Sequence, residues 1–239
     1  MPQYWVMQKS ILTASILALS ATALFATNIQ HTGLDWTRGM TIEIQAGDRV
    51  SNASAGVGVL MVDGVSFIDA FCVNLFQGIT LYQNYSATSV APTSYDLDGE
   101  AAAWLMQTFL PKVNAAASGS SREMEGAALQ LAIWDVIHDG GDGFASGRVR
   151  STGNTNSGVL ALANQWRLES LDQHGSAGIY LPAPNSRAFQ PQLYLTGCAA
   201  NGSCGGGGEV PEPGTLAMVA IGGLGLYFGT WRRRTMASK

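Results

Sequence analysis

Two residues in this chain have the types to react with each other. Cys72 is one of three cysteines, and Gln130 lies within Ala127-Ala128-Leu129-Gln130-Leu131-Ala132-Ile133-Trp134-Asp135-Val136-Ile137, which is apolar nearly all round. Cys198 and Cys204 bracket a short Ala-Ala-Asn-Gly-Ser loop that can close as a disulfide in an oxidising compartment, which leaves Cys72 unpaired. A thiolate that attacks a side-chain carboxamide expels ammonia and leaves a thioester. That reaction needs sulfur and carbonyl carbon held together and water kept out until a second nucleophile arrives. Phe71 and Trp134 supply apolar neighbours to shield such a bond. A primary amide in an apolar helix also needs a partner, because burying one unsatisfied costs about 1–3 kcal/mol. The plainer reading has Gln130 hydrogen-bonded to nearby backbone, with Cys72 a small core residue.

The same stretch permits other chemistry. Cys72 with His138 as base and Asp135 or Asp139 as orienting group is a nucleophile–base arrangement, although no local signature around Cys72 supports a hydrolase. His138-Asp139-Gly140-Gly141-Asp142-Gly143 places oxygen ligands on a tight loop, which calcium tolerates. It lacks the spacing of an EF-hand loop and reads as a solvated turn, so neither a metal nor a cofactor is expected. His31 and His174 stand alone, without zinc-ligand spacing. A non-covalent alternative uses Tyr82, Tyr85 and Tyr95 as stacking surfaces for a polysaccharide.

Phe71-Cys72-Val73 and Leu129-Gln130-Leu131-Ala132-Ile133-Trp134 together resemble the two halves of the thioester domain of bacterial surface adhesins, in which an aromatic-Cys segment precedes a helix bearing Gln-x-Ala-Ile-Trp. Leu129 departs from the Thr that often precedes that Gln. The resemblance spans roughly residues 56 to 196. It implies a Cys72–Gln130 thioester that captures a Lys amine or sugar hydroxyl of a surface or matrix partner. Such single-use adhesion is not turnover, so no enzyme is expected.

These residues need elements to hold them. Thr41–Ile44 alternates, and Gly56–Ile68 is Val-rich, so both read as strands, with Ala70–Phe76 continuing the second or forming a third. Asp98–Leu110 has helical spacing, with Asp98 as cap and Pro111 as terminator. Glu123–His138 is the strongest helix, closed by Asp139-Gly140-Gly141. Gly141–Asn156 reads as a long loop and Ser157–Leu171 as a helix with Leu160, Leu162, Ala163 and Trp166 facing inward. Ile179–Leu181 and Gln192–Thr196 read as closing strands. The expected class is α+β, with strands at both ends around a buried helical middle.

The two ends of the chain are addresses. Lys9 precedes an apolar, small-residue-rich run from Ile11 to Phe25, so residues 1–26 read as a secretory signal peptide. Residues 27–197 form the expected body and 198–209 a Gly-rich tether. At the C-terminus, Val210-Pro211-Glu212-Pro213-Gly214 is followed by an uncharged apolar run from Thr215 to Trp231 and then Arg232-Arg233-Arg234. That run is at the short limit for a membrane-spanning helix, and the arginines fix its cytoplasmic end. Residues 210–239 resemble the PEP-CTERM sorting signal of Gram-negative bacteria. The resemblance implies an exosortase-type partner, anchoring in the cytoplasmic membrane with the body in the periplasm, and delivery to the cell surface or an exopolysaccharide-rich matrix. Five of the thirteen Lys and Arg residues belong to these end segments, leaving eight basic residues against sixteen acidic ones up to Glu209. A body that acidic offers no face to phosphates, so nucleic acid is not an expected partner.

Overall fold

The computed structural model describes residues 26–95, 98–183 and 189–196. The signal peptide, the tether with Cys198 and Cys204, and the sorting signal (Val210, Pro211, Glu212, Pro213, Gly214, Arg232, Arg233, Arg234) with its membrane segment lie outside the described residues. No described helix is long and apolar enough to cross a membrane.

The N-terminal half is a run of strands: β1 (Thr27–Ala46), β2 (Arg49–Val62), β3 (Ser66–Cys72) and β4 (Asn84–Val90). The helices α1 (Gly99–Ala115) and α2 (Ser120–Asp139), the short β5 (Val149–Ser151) and α3 (Ser157–Ser170) follow, and β6 (Gly178–Pro182) and β7 (Gln192–Tyr194) close the fold. The α+β expectation holds at this level. Four local expectations do not. Gly56–Ile68 is two strands, because the chain reverses at Asp63-Gly64, both at positive φ, and Asp63 Oδ1 accepts the Asn28 N–H. That dipeptide is a strong hairpin signal. β4 was not foreseen, since its Ser and Thr residues mimic loop composition. β5 lies within the expected 141–156 loop. Pro111 does not end α1: the helix continues to Ala115, with Leu110 and Val113 buried on either side of the proline. Core packing there outweighs one missing backbone donor. The expected caps form: Asp98 accepts from the Ala101 N–H at 3.2 Å, and Gly140 ends α2 at φ 65°.

Pairing is antiparallel throughout, in the order β2-β3-β7-β6-β4-β1-β5, and β1 also pairs with β2. The first half of β1 lies between β4 and β2, so β1, β2, β3, β7, β6 and β4 form a closed ring. Register shifts between His31 and Gly33 and between Leu34 and Gly39 bend β1, whose second half leaves the ring as a long hairpin with β2 and takes β5 on its outer edge. Two cores result. Ile29, Leu60, Ala70, Tyr85, Tyr180 and Phe189 fill the ring. The larger core lies between the helices and the outer face of the strands and includes Ile42, Val57, Phe71, Ile133 and Leu193.

α2 is seated against β1 at Gly126. A Cβ built there would lie 1.9 Å from the Arg38 carbonyl oxygen, so only glycine permits the approach. Its next four-residue steps along one helical face are Gln130, Trp134 and His138. The glycine thereby sets how close these three come to the end of β3.

Candidate functional site

β3 and β7 place Cys72 directly opposite Gln192, with Phe71 opposite Leu193 and Ala70 opposite Tyr194. Opposed residues on neighbouring antiparallel strands project to the same face with Cβ atoms about 5 Å apart. Sulfur and carboxamide therefore meet. Gln192 Nε2 is 3.4 Å from Cys72 Sγ and its Oε1 is 3.7 Å away. Gln192 Nε2 also donates to the Gln190 carbonyl at 3.3 Å, which orients the amide. Gln192 is fully buried, whereas Cys72 is an unbridged cysteine at intermediate exposure. Burial pushes the thiol up to about 11, an effect that the contact with Gln192 opposes.

Gln130 serves a different purpose. Its Oε1 accepts the Cys72 N–H at 3.0 Å and its Nε2 donates to the Cys72 carbonyl at 2.8 Å. Both ends of the amide are spent on the main chain of the cysteine, and the polar side chain that was expected to need a partner has two. The expected Cys72–Gln130 pairing thus takes the form of a backbone clamp, and the carboxamide at the sulfur is that of Gln192. Nothing in the Cys72 and Gln130 motifs indicated Gln192. The available signal was Pro191-Gln192-Leu193-Tyr194, a lone amide flanked by apolar residues in a closing strand.

The two expected shielding residues differ. Strand alternation sends Phe71 to the face opposite the sulfur, into the core beneath the helices, where it is fully buried with Leu193. Phe71 therefore anchors the strand. Trp134, 3% exposed, sits between Gln130 and His138 on the α2 face that meets the end of β3. His138 Nε2 accepts the Leu75 N–H at 3.3 Å and its ring meets Phe76 edge-on at 4.9 Å. It supports the segment after Cys72. Of the three tyrosines considered for sugar stacking, Tyr82 is exposed but Tyr85 is buried inside the ring, 4.6 Å from the Phe189 ring centroid.

His31 also faces the ring interior, at 4% exposure. Its Nδ1 accepts the Gly33 N–H at 3.2 Å, so Nε2 carries the proton, and that atom is buried without a hydrogen-bond partner. Burial pulls the imidazole down to about 4. Asp135, Asp139 and Asp142 converge at the C-terminal end of α2. Burial pushes the Asp135 carboxyl up to about 7, with Arg167 opposing and Asp142 and Asp139 adding to the shift.

Residues 209–234 match the PEP-CTERM protein-sorting motif. The motif implies processing by an exosortase, with export and membrane-anchored sorting to the surface. No curated protein matches the chain. Among solved structures, the chain is similar to the N-terminal thioester domain of fibronectin-binding protein SfbI from Streptococcus pyogenes, at 11% identity and a TM-score of 0.41, over 73% of this chain and 95% of that one. It is also similar to the N-terminal domain of the Streptococcus pyogenes pilus tip adhesin Cpa, at 14% identity and a TM-score of 0.42, over 74% of this chain and 97% of that one.

Proposed function

We propose that this exosortase-sorted protein is a covalent adhesin whose reactive bond is a thioester between Cys72 Sγ and the side-chain carbonyl carbon of Gln192. The observation that carries this reading is the cross-strand contact. With Sγ 3.4 Å from Nε2 and 3.7 Å from Oε1, standard amide bond lengths bracket the carbonyl carbon at roughly 3–4 Å, which overlaps the roughly 3–3.5 Å of a near-attack conformer. Sulfur adds to that carbon, the C–N bond breaks, and Nε2 leaves as ammonia with the thiol proton. A Lys amine or sugar hydroxyl later attacks the same carbon, forms an amide or ester at residue 192 and returns the thiol. Gln130 is a positioning residue that fixes the Cys72 main chain. Burial that disfavours the thiolate also makes sulfur a poor leaving group, which protects the bond until a partner is held in place. In this reading the body faces the periplasm while the C-terminal segment is anchored in the cytoplasmic membrane, and afterwards it is displayed at the cell surface or in the matrix.

The test is the intact mass of the exported full-length protein before and after methylamine, followed by peptide mapping. A deficit of about 17 Da should convert to a methylamide on Gln192. Cys72→Ala and Gln192→Ala should both lack the deficit. Gln130→Leu, which strands the Cys72 N–H and carbonyl, should form the bond incompletely and lose about 2–5 kcal/mol of stability. A methylamide on Gln130 would return the acyl role to that residue. A wild-type protein at full mass and inert to methylamine would leave Cys72 and Gln192 as core residues of a non-covalent surface protein.

A further inference from the structure

We infer that Asp135, Asp139 and Asp142 form a calcium site at the C-terminal end of α2. One carboxylate oxygen from each lies within 4.8 Å of those of the other two, close enough for one ion to bridge them at calcium–oxygen distances of about 2.3–2.6 Å. The observation that separates this cluster from an ordinary acidic turn is Asp135. It is fully buried, and no donor reaches hydrogen-bond distance of either carboxylate oxygen, so the Gly143 N–H and the Arg167 guanidinium favour its charge only from longer range. A buried carboxylate without partners is costly unless a cation faces it.

The protein's own cation does not fill that role. Arg167 Nε is 3.8 Å from Asp135 Oδ2, and it is spent on Asn164 Oδ1 at 3.2 Å, while Nη1 donates to the Gly141 carbonyl at 2.6 Å. Asp135 is the one carboxylate among the three that this guanidinium approaches. Asp139 is already fixed, its oxygens accepting the main-chain N–H groups of Arg148 and Val149 at 2.7–3.0 Å. Oδ1, which accepts only one of these bonds, keeps a further lone pair for a metal. Asp142 is exposed and gives the ion a path from solvent. The three carboxylates supply part of the six to eight oxygens that calcium takes, and water and main-chain carbonyls supply the rest. Binding would tie the loop to the helix end that carries His138, the residue supporting the segment after Cys72.

Full-length protein in detergent, stripped with chelator, is titrated calorimetrically with calcium chloride, and its melting temperature is read with calcium and with magnesium. One saturable site is expected, in the roughly 10⁻⁴–10⁻³ M range of extracellular calcium modules, with a rise in melting temperature that magnesium does not match. Asp142→Asn removes an exposed charge without disturbing the core and should weaken binding at least tenfold. No saturable heat, an equal response to magnesium, or an Asp142→Asn protein that binds like the wild type would each overturn the assignment and leave Arg167 as the sole balance for Asp135.

Discussion

At the scale of single residues, three buried polar groups carry most of the argument, and each has a different reason to be where it is. Gln130 satisfies both polar atoms of the Cys72 main chain, Gln192 meets the sulfur, and His31 keeps a neutral ring inside the strand ring with one N–H unpartnered. His31 should be visible in solution as a pH-dependent loss of stability. In the unfolded chain an imidazole takes a proton below its usual 6.5, but in the fold His31 does so only near 4. Between those values the unfolded state binds more protons, so stability falls as pH drops through that window. Urea unfolding at pH 7 and pH 4.5 should show the wild type losing about 2–3 kcal/mol more than His31→Gln, at 1.36 kcal/mol per pKa unit. Equal losses in the two proteins would mean that the ring is not held neutral. In the sequence His31 stands alone without zinc-ligand spacing, and its inward position is not legible there because no strand is marked before Thr41.

At the scale of elements, α2 is the piece on which the site depends. It is the clearest element in the sequence, because the run from Ala127 to Ile137 is apolar nearly all round and Asp139-Gly140-Gly141 closes it; in the fold, all twelve residues from Gly126 to Ile137 are buried. What periodicity did not reveal is which face meets β3. Gly126 decides that by letting the helix touch the Arg38 main chain. Gly126→Ala should therefore push α2 away from the strands and cost more than about 3 kcal/mol, the range of overpacked and strained core positions. A change of less than 1 kcal/mol in urea unfolding would show that the helix can shift without penalty. The strands were less legible. β4 and the first half of β1 carry Ser, Thr, Asn and Gly where an alternating apolar pattern would mark a strand, because each contributes only a few inward residues, such as Ile29, Tyr85 and Ala87, to a small ring core.

At the scale of the whole molecule, the chain combines a folded body with a C-terminal sorting motif at residues 209–234. The order of Pro-Glu-Pro, apolar run and three arginines does not depend on the fold of the body, and it has its own prediction. In a cell with a working exosortase, replacing Pro211, Glu212 and Pro213 with alanine should leave full-length protein in the membrane fraction, whereas the wild type is processed and leaves it. Identical fractionation of both would separate sorting from the motif. The acidic balance of the body leaves no excess of basic residues to attract phosphates.

The sequence by itself determined the sorting motif, the α+β class and the buried central helix with its cap, and it singles out Cys72 as the candidate nucleophile. These are local properties: apolar periodicity, capping residues and the order of segments act over a few turns of chain. The identity of the carboxamide beside the sulfur belonged to tertiary structure. Gln130 lies 58 residues from Cys72 and Gln192 lies 120 residues away, and both contact it. Which of them reaches the backbone and which reaches the sulfur follows from strand register and side-chain alternation, set by the closure of the ring and by the seat of α2 on Gly126. The convergence of Asp139 and Asp142 on the buried Asp135 carboxylate was likewise decided by the fold, because it requires the burial that packing alone creates.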